Sequence, residues 1–317
     1  MALHLVTGGG GFIGSHITER LLSEGHDVRV LDNFSTGKTE NLELPRGSGR
    51  WGRLDVMPGD ITDGALVTRA MSGVQWVFHQ AAIPSVPRSV ADPIASNHAN
   101  VTGTLTLLTA ARDAGVKRFI YASSSSVYGE SPALPKVETM TPAPLSPYAV
   151  SKLTGEYYAG VFHRLYGLPT VGLRYFNVFG PRQDPGSEYA AVVPKFITAI
   201  AKGQPPTIFG DGEQTRDFTY VSNAVDANLK AATASESAFG GSYNVACGAR
   251  ISLLELVAMI NGLLGASVTP RHTEARAGDV KHSLAGIEAA RAQLGYEPRV
   301  GVEEGLAQTA AWFQKRL

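Results

Sequence analysis

The residues best suited to chemistry are Tyr148 and Lys152, four apart in Ser146-Pro147-Tyr148-Ala149-Val150-Ser151-Lys152. A helix beginning at Pro147 puts both side chains on one face. A lysine ammonium beside a phenol favours the phenolate, so the tyrosine can take a proton below its ordinary value of about 10. Such a base needs a cofactor loop, a neighbouring hydroxyl and a substrate pocket.

The cofactor loop stands at the start of the chain. Leu3-His4-Leu5-Val6-Thr7 is a short apolar run suited to a buried parallel strand. Glycines follow at positions 8, 11 and 14, and then an amphipathic helix from Ser15 to Gly25. Val28 to Asp32 forms the second strand of a βαβ unit. The glycines allow a tight turn and close approach of a pyrophosphate, which sits on the helix N-terminus. Asp32 comes 18 residues after Gly14, where a carboxylate accepts from an adenosine ribose hydroxyl and repels a 2′-phosphate. That selects NAD over NADP.

Further candidates follow in order. Asp60 comes after a third strand and is within reach of an adenine. Val74 to Ala82 is a strand running into a turn whose small residues, Ala81 and Ala82, let a cofactor pass close to the backbone. Arg88 reaches a phosphate or sits on the surface. A helix is expected from Pro93 to Ala114, with Asn100 near its middle. Lys117 to Ala122 is a strand that runs into Ser123-Ser124-Ser125-Ser126, hydroxyls at the end of a parallel strand where ligands bind in such sheets. A polar turn is the alternative reading of those serines. Asn177 ends the strand from Thr170. Beyond Gly180-Pro181-Arg182 the chain carries scattered Arg, Asn and Asp, suited to an anionic ligand. A helix is expected from Ala191 to Lys202 and another from Ser252 to Leu264, capped by Ser252.

The 317 residues are 44% hydrophobic and 18% charged, with zero net charge. A large-cored globular protein fits this; a broad nucleic-acid surface does not. One cysteine, Cys247, excludes an intrachain disulfide and argues against a cysteine-built metal site. The start is expected to be a strand, not a signal peptide, and no apolar stretch is long enough to span a membrane. A cytoplasmic location is the default expectation.

Together these stretches resemble the extended short-chain dehydrogenase/reductase family, and within it the UDP-hexose 4-epimerases, over nearly the whole chain. The resemblance implies an α/β fold: a doubly wound parallel sheet (an NAD-binding Rossmann fold) over residues 1–177, with 237–252 returning to it, and a smaller α/β UDP-sugar domain over 178–317. It implies that NAD is held by Gly8, Gly11, Phe12, Ile13, Gly14, Asp32, Asn33, Asp60, Ile61, Ala81, Ala82, Asn100, Tyr148 and Lys152. Ser124, Tyr148 and Lys152 match the catalytic triad. Ser125, Ser126, Asn177, Ala191, Val192, Arg216, Arg276, Asp279 and Ser283 fall where the family grips the UDP-sugar. No metal is implied. The resemblance also implies a homodimer through the helices at Pro93–Ala114 and Pro147–Tyr166.

Dehydratases and decarboxylases of this family place an acid just after the active hydroxyl. Here Ser125 and Ser126 stand there, which favours 4-epimerisation. Ser283 resembles the gate position of the sugar pocket, where a small residue leaves room for a 2-acetamido group. The run from Gln183 to Lys195 also looks like the subgroup that handles N-acetylated sugars. The alternatives are a UDP-glucuronate or UDP-N-acetylhexosaminuronate 4-epimerase, a reductase of nucleotide keto-sugars and a non-catalytic NAD sensor. Against the glucuronate reading stands Asn177, where glucuronate epimerases tend to carry threonine.

Overall fold

The structure, a computed structural model, describes residues 2–44, 49, 51–186, 191–274 and 281–316. The first half alternates strands and helices: β1 (Leu3–Thr7), α1 (Phe12–Ser23), β2 (Asp27–Asp32), β3 (Leu54–Pro58), α2 (Gly64–Met71), β4 (Val74–His79), α3 (Val86–Ala91), α4 (Pro93–Asn97), α5 (Gly103–Asp113), β5 (Arg118–Ser124), α6 (Pro147–Tyr166) and β6 (Thr170–Tyr175). One π turn, His98–Thr102, joins α4 to α5, so the expected helix at 93–114 is one rod with a widened turn at Asn100. The second half holds β7 (Val178–Phe179), α7 (Val192–Ala201), β8 (Thr207–Phe209), β9 (Thr215–Arg216), β10 (Thr219–Tyr220), α8 (Val221–Thr233), β11 (Ser242–Val245), β12 (Ile251–Ser252), α9 (Leu253–Leu264), β13 (Arg271–Thr273), α10 (Glu288–Leu294) and α11 (Val302–Gln314).

Seven strands form one parallel sheet in the order β11-β6-β5-β4-β1-β2-β3. The strand order reverses between β1 and β4, and such a switch point opens a crevice at the carboxyl ends of the strands. Successive strand residues face opposite sides. Leu5 and Val77 pack with Leu107 and Leu108 of α5, while Val6 and Phe78 pack with Leu21 of α1 and Ala227 of α8. The second lobe has its own core, in which Ile197, Leu256, Ile260, Leu306 and Phe313 bring α7, α9 and α11 together.

α6 begins where Ser146 Oγ accepts from Ala149 N and Pro147 presets the first turn. It ends at Gly167, in the left-handed conformation. Its inner face carries a buried ion pair: Glu156 accepts from Arg174 of β6 at 2.9 and 2.7 Å, both side chains under a tenth exposed. Ser123 also donates to Glu156, and Arg174 donates to Tyr128 Oη at 2.8 Å. The pair fixes α6 against β5 and β6. Removing one partner strands the other charge inside the protein. Arg174→Met is expected to lower the free energy of unfolding by about 3–5 kcal/mol in chemical denaturation; a loss below about 1 kcal/mol would mean the pair does not hold these elements.

Candidate active site

The glycine loop closes on itself. Gly8 has φ +70, and a Cβ there would lie 2.7 Å from Ala81 N. A Cβ on Gly14 would lie 2.1 Å from the Gly8 carbonyl oxygen. Both positions therefore require glycine. α1 starts at Phe12, three residues earlier than the sequence pattern suggests, because the loop itself winds into the helix. No side chain caps that N-terminus, which leaves its N–H groups facing a cavity of about 670 Å³.

That cavity brings together Gly8, Gly11, Phe12, Ile13 and Gly14, Asp32, Asn33, Asp60 and Ile61, Ala81 and Ala82, and Tyr148 and Lys152. Asp32 braces the loop, accepting from Gly10 N and Phe34 N at 2.8 Å each. Asn33 donates to Asp60 at 2.7 Å. Burial works against the charge of Asp60, but the backbone and hydroxyl of Thr62 and the Asn33 amide outweigh it and hold the carboxyl below its ordinary value. Asn100 is buried behind this wall. Its Oδ1 accepts from Ile83 N at 2.8 Å and its Nδ2 donates to Ser151 Oγ at 3.0 Å.

Lys152 is 4% exposed, and its Nζ donates to the Ala122 carbonyl at 2.9 Å. Nζ lies 5.9 Å from the Tyr148 ring centre. Burial lowers Lys152 to about 8. It also raises Tyr148, a shift that the Ser124 hydroxyl, hydrogen-bonded to the phenol, opposes. This corrects the sequence expectation. Beside the lysine the phenol stands above its ordinary value, because burial penalises the phenolate.

Ser124 Oγ also accepts from Ser126 N at 3.2 Å and Ser126 Oγ at 2.9 Å. Ser125 lies in the same short 3₁₀ turn, Ser125–Tyr128, just beyond β5. Neither Ser125 nor Ser126 is a carboxylate, and none occupies their place after Ser124.

A second cavity, of about 600 Å³, opens beside the first. Asn177, Ala191, Val192 and Arg216 line it. Tyr175, two residues before Asn177, lines the first cavity, so the exit of β6 joins the two. Asn177 has φ +35 and donates to the Asp217 carbonyl and to Ser283 Oγ, both at 3.1 Å. Ser283 thus stands against Asn177. Asp217, fully buried, accepts from Cys247 N, Gly248 N and Ala285 N, and burial raises it to about 6. Arg276 and Asp279 lie outside the described residues. Among the described residues, no group of three or more His, Cys, Asp or Glu is placed to hold a metal ion.

Some site residues escaped the sequence reading. Gln80 and Tyr175 line the cofactor cavity and are tied to each other and to Asn228. Arg182, with φ +66, enters the same cavity while paired with Glu19. A lone Gln, Tyr or Arg carries no spacing signal. Arg88 is exposed and lines the mouth of the cavity.

Comparison with known proteins decides the family. The NAD dependent epimerase/dehydratase family matches residues 4–246. The chain belongs to that family. It is 41% identical, over 98% of both chains, to a UDP-glucose 4-epimerase of Mycolicibacterium smegmatis. Among solved structures it is similar to a UDP-N-acetylglucosamine 4-epimerase from Methanobrevibacter ruminantium, in complex with UDP-N-acetylmuramic acid. There the TM-score is 0.93 and the identity 42%, over 100% of this chain and 99% of that one. A UDP-glucose 4-epimerase of Thermus thermophilus in complex with NAD gives 0.88 and 38%, over 99% and 100%. The glycine cradle and the uncapped helix fit the dinucleotide that this NAD-dependent family uses.

The depressed value of Lys152 sets a pH limit. Its ammonium is present below about 8 and lost as the pH rises through that value. Support for the phenolate goes with it. The pH profile of kcat/KM is expected to fall on its alkaline side near pH 8; a kcat/KM still rising through about pH 9 would contradict this role for Lys152.

Proposed function

We propose that the chain inverts C4 of a UDP-hexose through a 4-keto sugar, acting on UDP-GlcNAc/UDP-GalNAc and UDP-Glc/UDP-Gal. One observation carries this reading: the Tyr148 phenol, bonded to Ser124 and backed by buried Lys152, lines the cofactor cavity, and no acid follows Ser124. When bound, NAD supplies a reversible hydride acceptor at C4. Tyr148 takes the proton from the sugar 4-hydroxyl and later returns it. Ser124 hydrogen-bonds O4 and orients it against Tyr148. Lys152 stabilises the phenolate and holds the nicotinamide ribose.

Burial raises Tyr148 and the Ser124 hydroxyl opposes that shift; a nicotinamide cation held in the cavity would favour the phenolate in the same sense.

The second cavity grips the UDP through Asn177, Ala191, Val192 and Arg216; for Arg276 and Asp279, outside the described residues, the same role rests on the sequence resemblance. The sugar stays loose enough to turn over and present its other face to the returning hydride. Ser125 and Ser126 offer hydroxyls to the turning sugar. Ser283, small and set against Asn177, leaves room for a 2-acetamido group. We assign residues 1–177 to the cofactor domain together with 237–252, and with α8 and α10, which pack in the core of its sheet; α7, α9 and α11 make the substrate domain.

We also propose a homodimer in the cytoplasm. Val150, Tyr157 and Leu165 form an exposed apolar stripe on α6, and Val86, Val90 and Ile94 continue it across α3 and α4. An apolar surface of this kind marks a protein interface. The mass in sedimentation is expected to be that of two chains; a single-chain mass at working concentration would remove the dimer.

Tyr148→Phe is expected to lower kcat about 10²–10⁴-fold while UDP binding by calorimetry is unchanged; near-normal turnover would take Tyr148 out of its role. Ser283→Tyr should abolish turnover of UDP-GlcNAc and spare UDP-Glc. A substrate panel that adds UDP-GlcA and a UDP-N-acetylhexosaminuronate separates this from the uronate reading, which predicts turnover of a uronate and of neither neutral sugar.

A further inference from the structure

Behind the cofactor cavity lies a hydrogen-bonded chain that the chemistry above does not use. His79 ends β4 and is 1% exposed; Thr7 of β1 and Thr104 of α5 are as deeply buried. Thr7 Oγ1 lies 2.8 Å from His79 Nδ1, and Thr104 Oγ1 lies 2.8 Å from Nε2.

The far end of the chain fixes its proton order. Thr104 has one hydroxyl proton and gives it to the backbone carbonyl of Asn100 at 2.5 Å. Toward His79 it can then only accept, so Nε2 carries the ring proton. Nδ1 is left as an acceptor, and the Thr7 hydroxyl donates to it. Thr7 Oγ1 in turn accepts from Ala81 N at 3.4 Å. Burial, followed by the nearby Lys152 charge, lowers the imidazole to about 3, so the ring stays neutral.

Both ends of this chain meet the same piece of cavity wall. At one end Thr7 takes the Ala81 N–H. At the other, Asn100 brackets Ile83, accepting from its N–H at 2.8 Å and donating to its carbonyl at 3.3 Å. Asn100 continues to Ser151 Oγ, and Ser151 donates to the Tyr148 carbonyl at 2.7 Å. The segment from Ala81 to Ile83 lines the cofactor cavity opposite Gly8, so close that a Cβ on Gly8 would strike it.

We propose that His79 is a positioning residue for the cofactor: its Nε2–H tautomer sets the stand-off of the Ala81–Ile83 wall from the glycine loop and from the Tyr148 helix, and through it the retention of the dinucleotide. This rests on the NAD reading of the cavity.

The test compares His79→Leu, which breaks both contacts, with His79→Gln, whose amide nitrogen replaces Nε2 toward Thr104. NAD and UDP dissociation constants are measured by calorimetry on protein freed of nucleotide. The Leu variant is expected to bind NAD at least tenfold more weakly, with UDP affinity within twofold of the parent. The Gln variant should recover most of the loss. Nitrogen-15 NMR of the parent should find Nδ1 unprotonated and the ring not titrating between pH 5 and 8. Unchanged NAD affinity in the Leu variant overturns the proposal. So does equal loss in the Gln variant, a parallel loss of UDP affinity, or a parent ring protonated at Nδ1. The NMR result stands even if a variant does not fold. Parent protein that binds UDP but no NAD refutes the cofactor reading itself.

Discussion

The site depends on holding an ammonium group inside the protein. Lys152 is 4% exposed, and its Nζ donates to the Ala122 carbonyl. A cation kept from water loses proton affinity, and a phenol kept from water loses acidity. Both shifts are present here. Burial therefore opposes the charged form of both members of the pair, which the spacing of Tyr148 and Lys152 does not report.

The fold meets this demand by clamping α6 to the end of the sheet. Ser146 and Pro147 start the helix at the point that aims Tyr148 at Ser124. One turn beyond Lys152, Glu156 takes Arg174 and Ser123 into a buried cluster. Ser123 precedes Ser124, so the cluster sets the hydroxyl and the helix together. The β6 strand that supplies Arg174 runs on to Tyr175 in the first cavity and Asn177 in the second. The two cavities thus share one element.

Much of this was legible in the sequence, because local rules write it there. Glycine spacing, the acid ending β2 and the Ser146-Pro147 start each have a local physical cause. The Ser252 cap belongs with them, and the structure adds the reciprocal bond with Glu255. What escaped is non-local. Glu156 and Arg174 look like surface charges until the sheet brings them together. His79 looks like a strand-end polar residue, though its partners lie 72 and 25 positions away. The sign of the Tyr148 shift was misjudged because spacing reports the neighbouring cation and not the loss of water around it.

The central claim is that one hydride leaves C4 and returns to C4 while C5 and C6 stay untouched. It is tested most directly by turning over a UDP-hexose in D₂O and following C4 and C5 by proton NMR, with a parallel run in H₂O on substrate deuterated at C4. The account predicts that product keeps the C4 label in H₂O and gains no deuterium at C4 or C5 in D₂O. Solvent deuterium at C5 would mean elimination chemistry, and loss of the C4 label to water would mean that the hydride is not the group transferred.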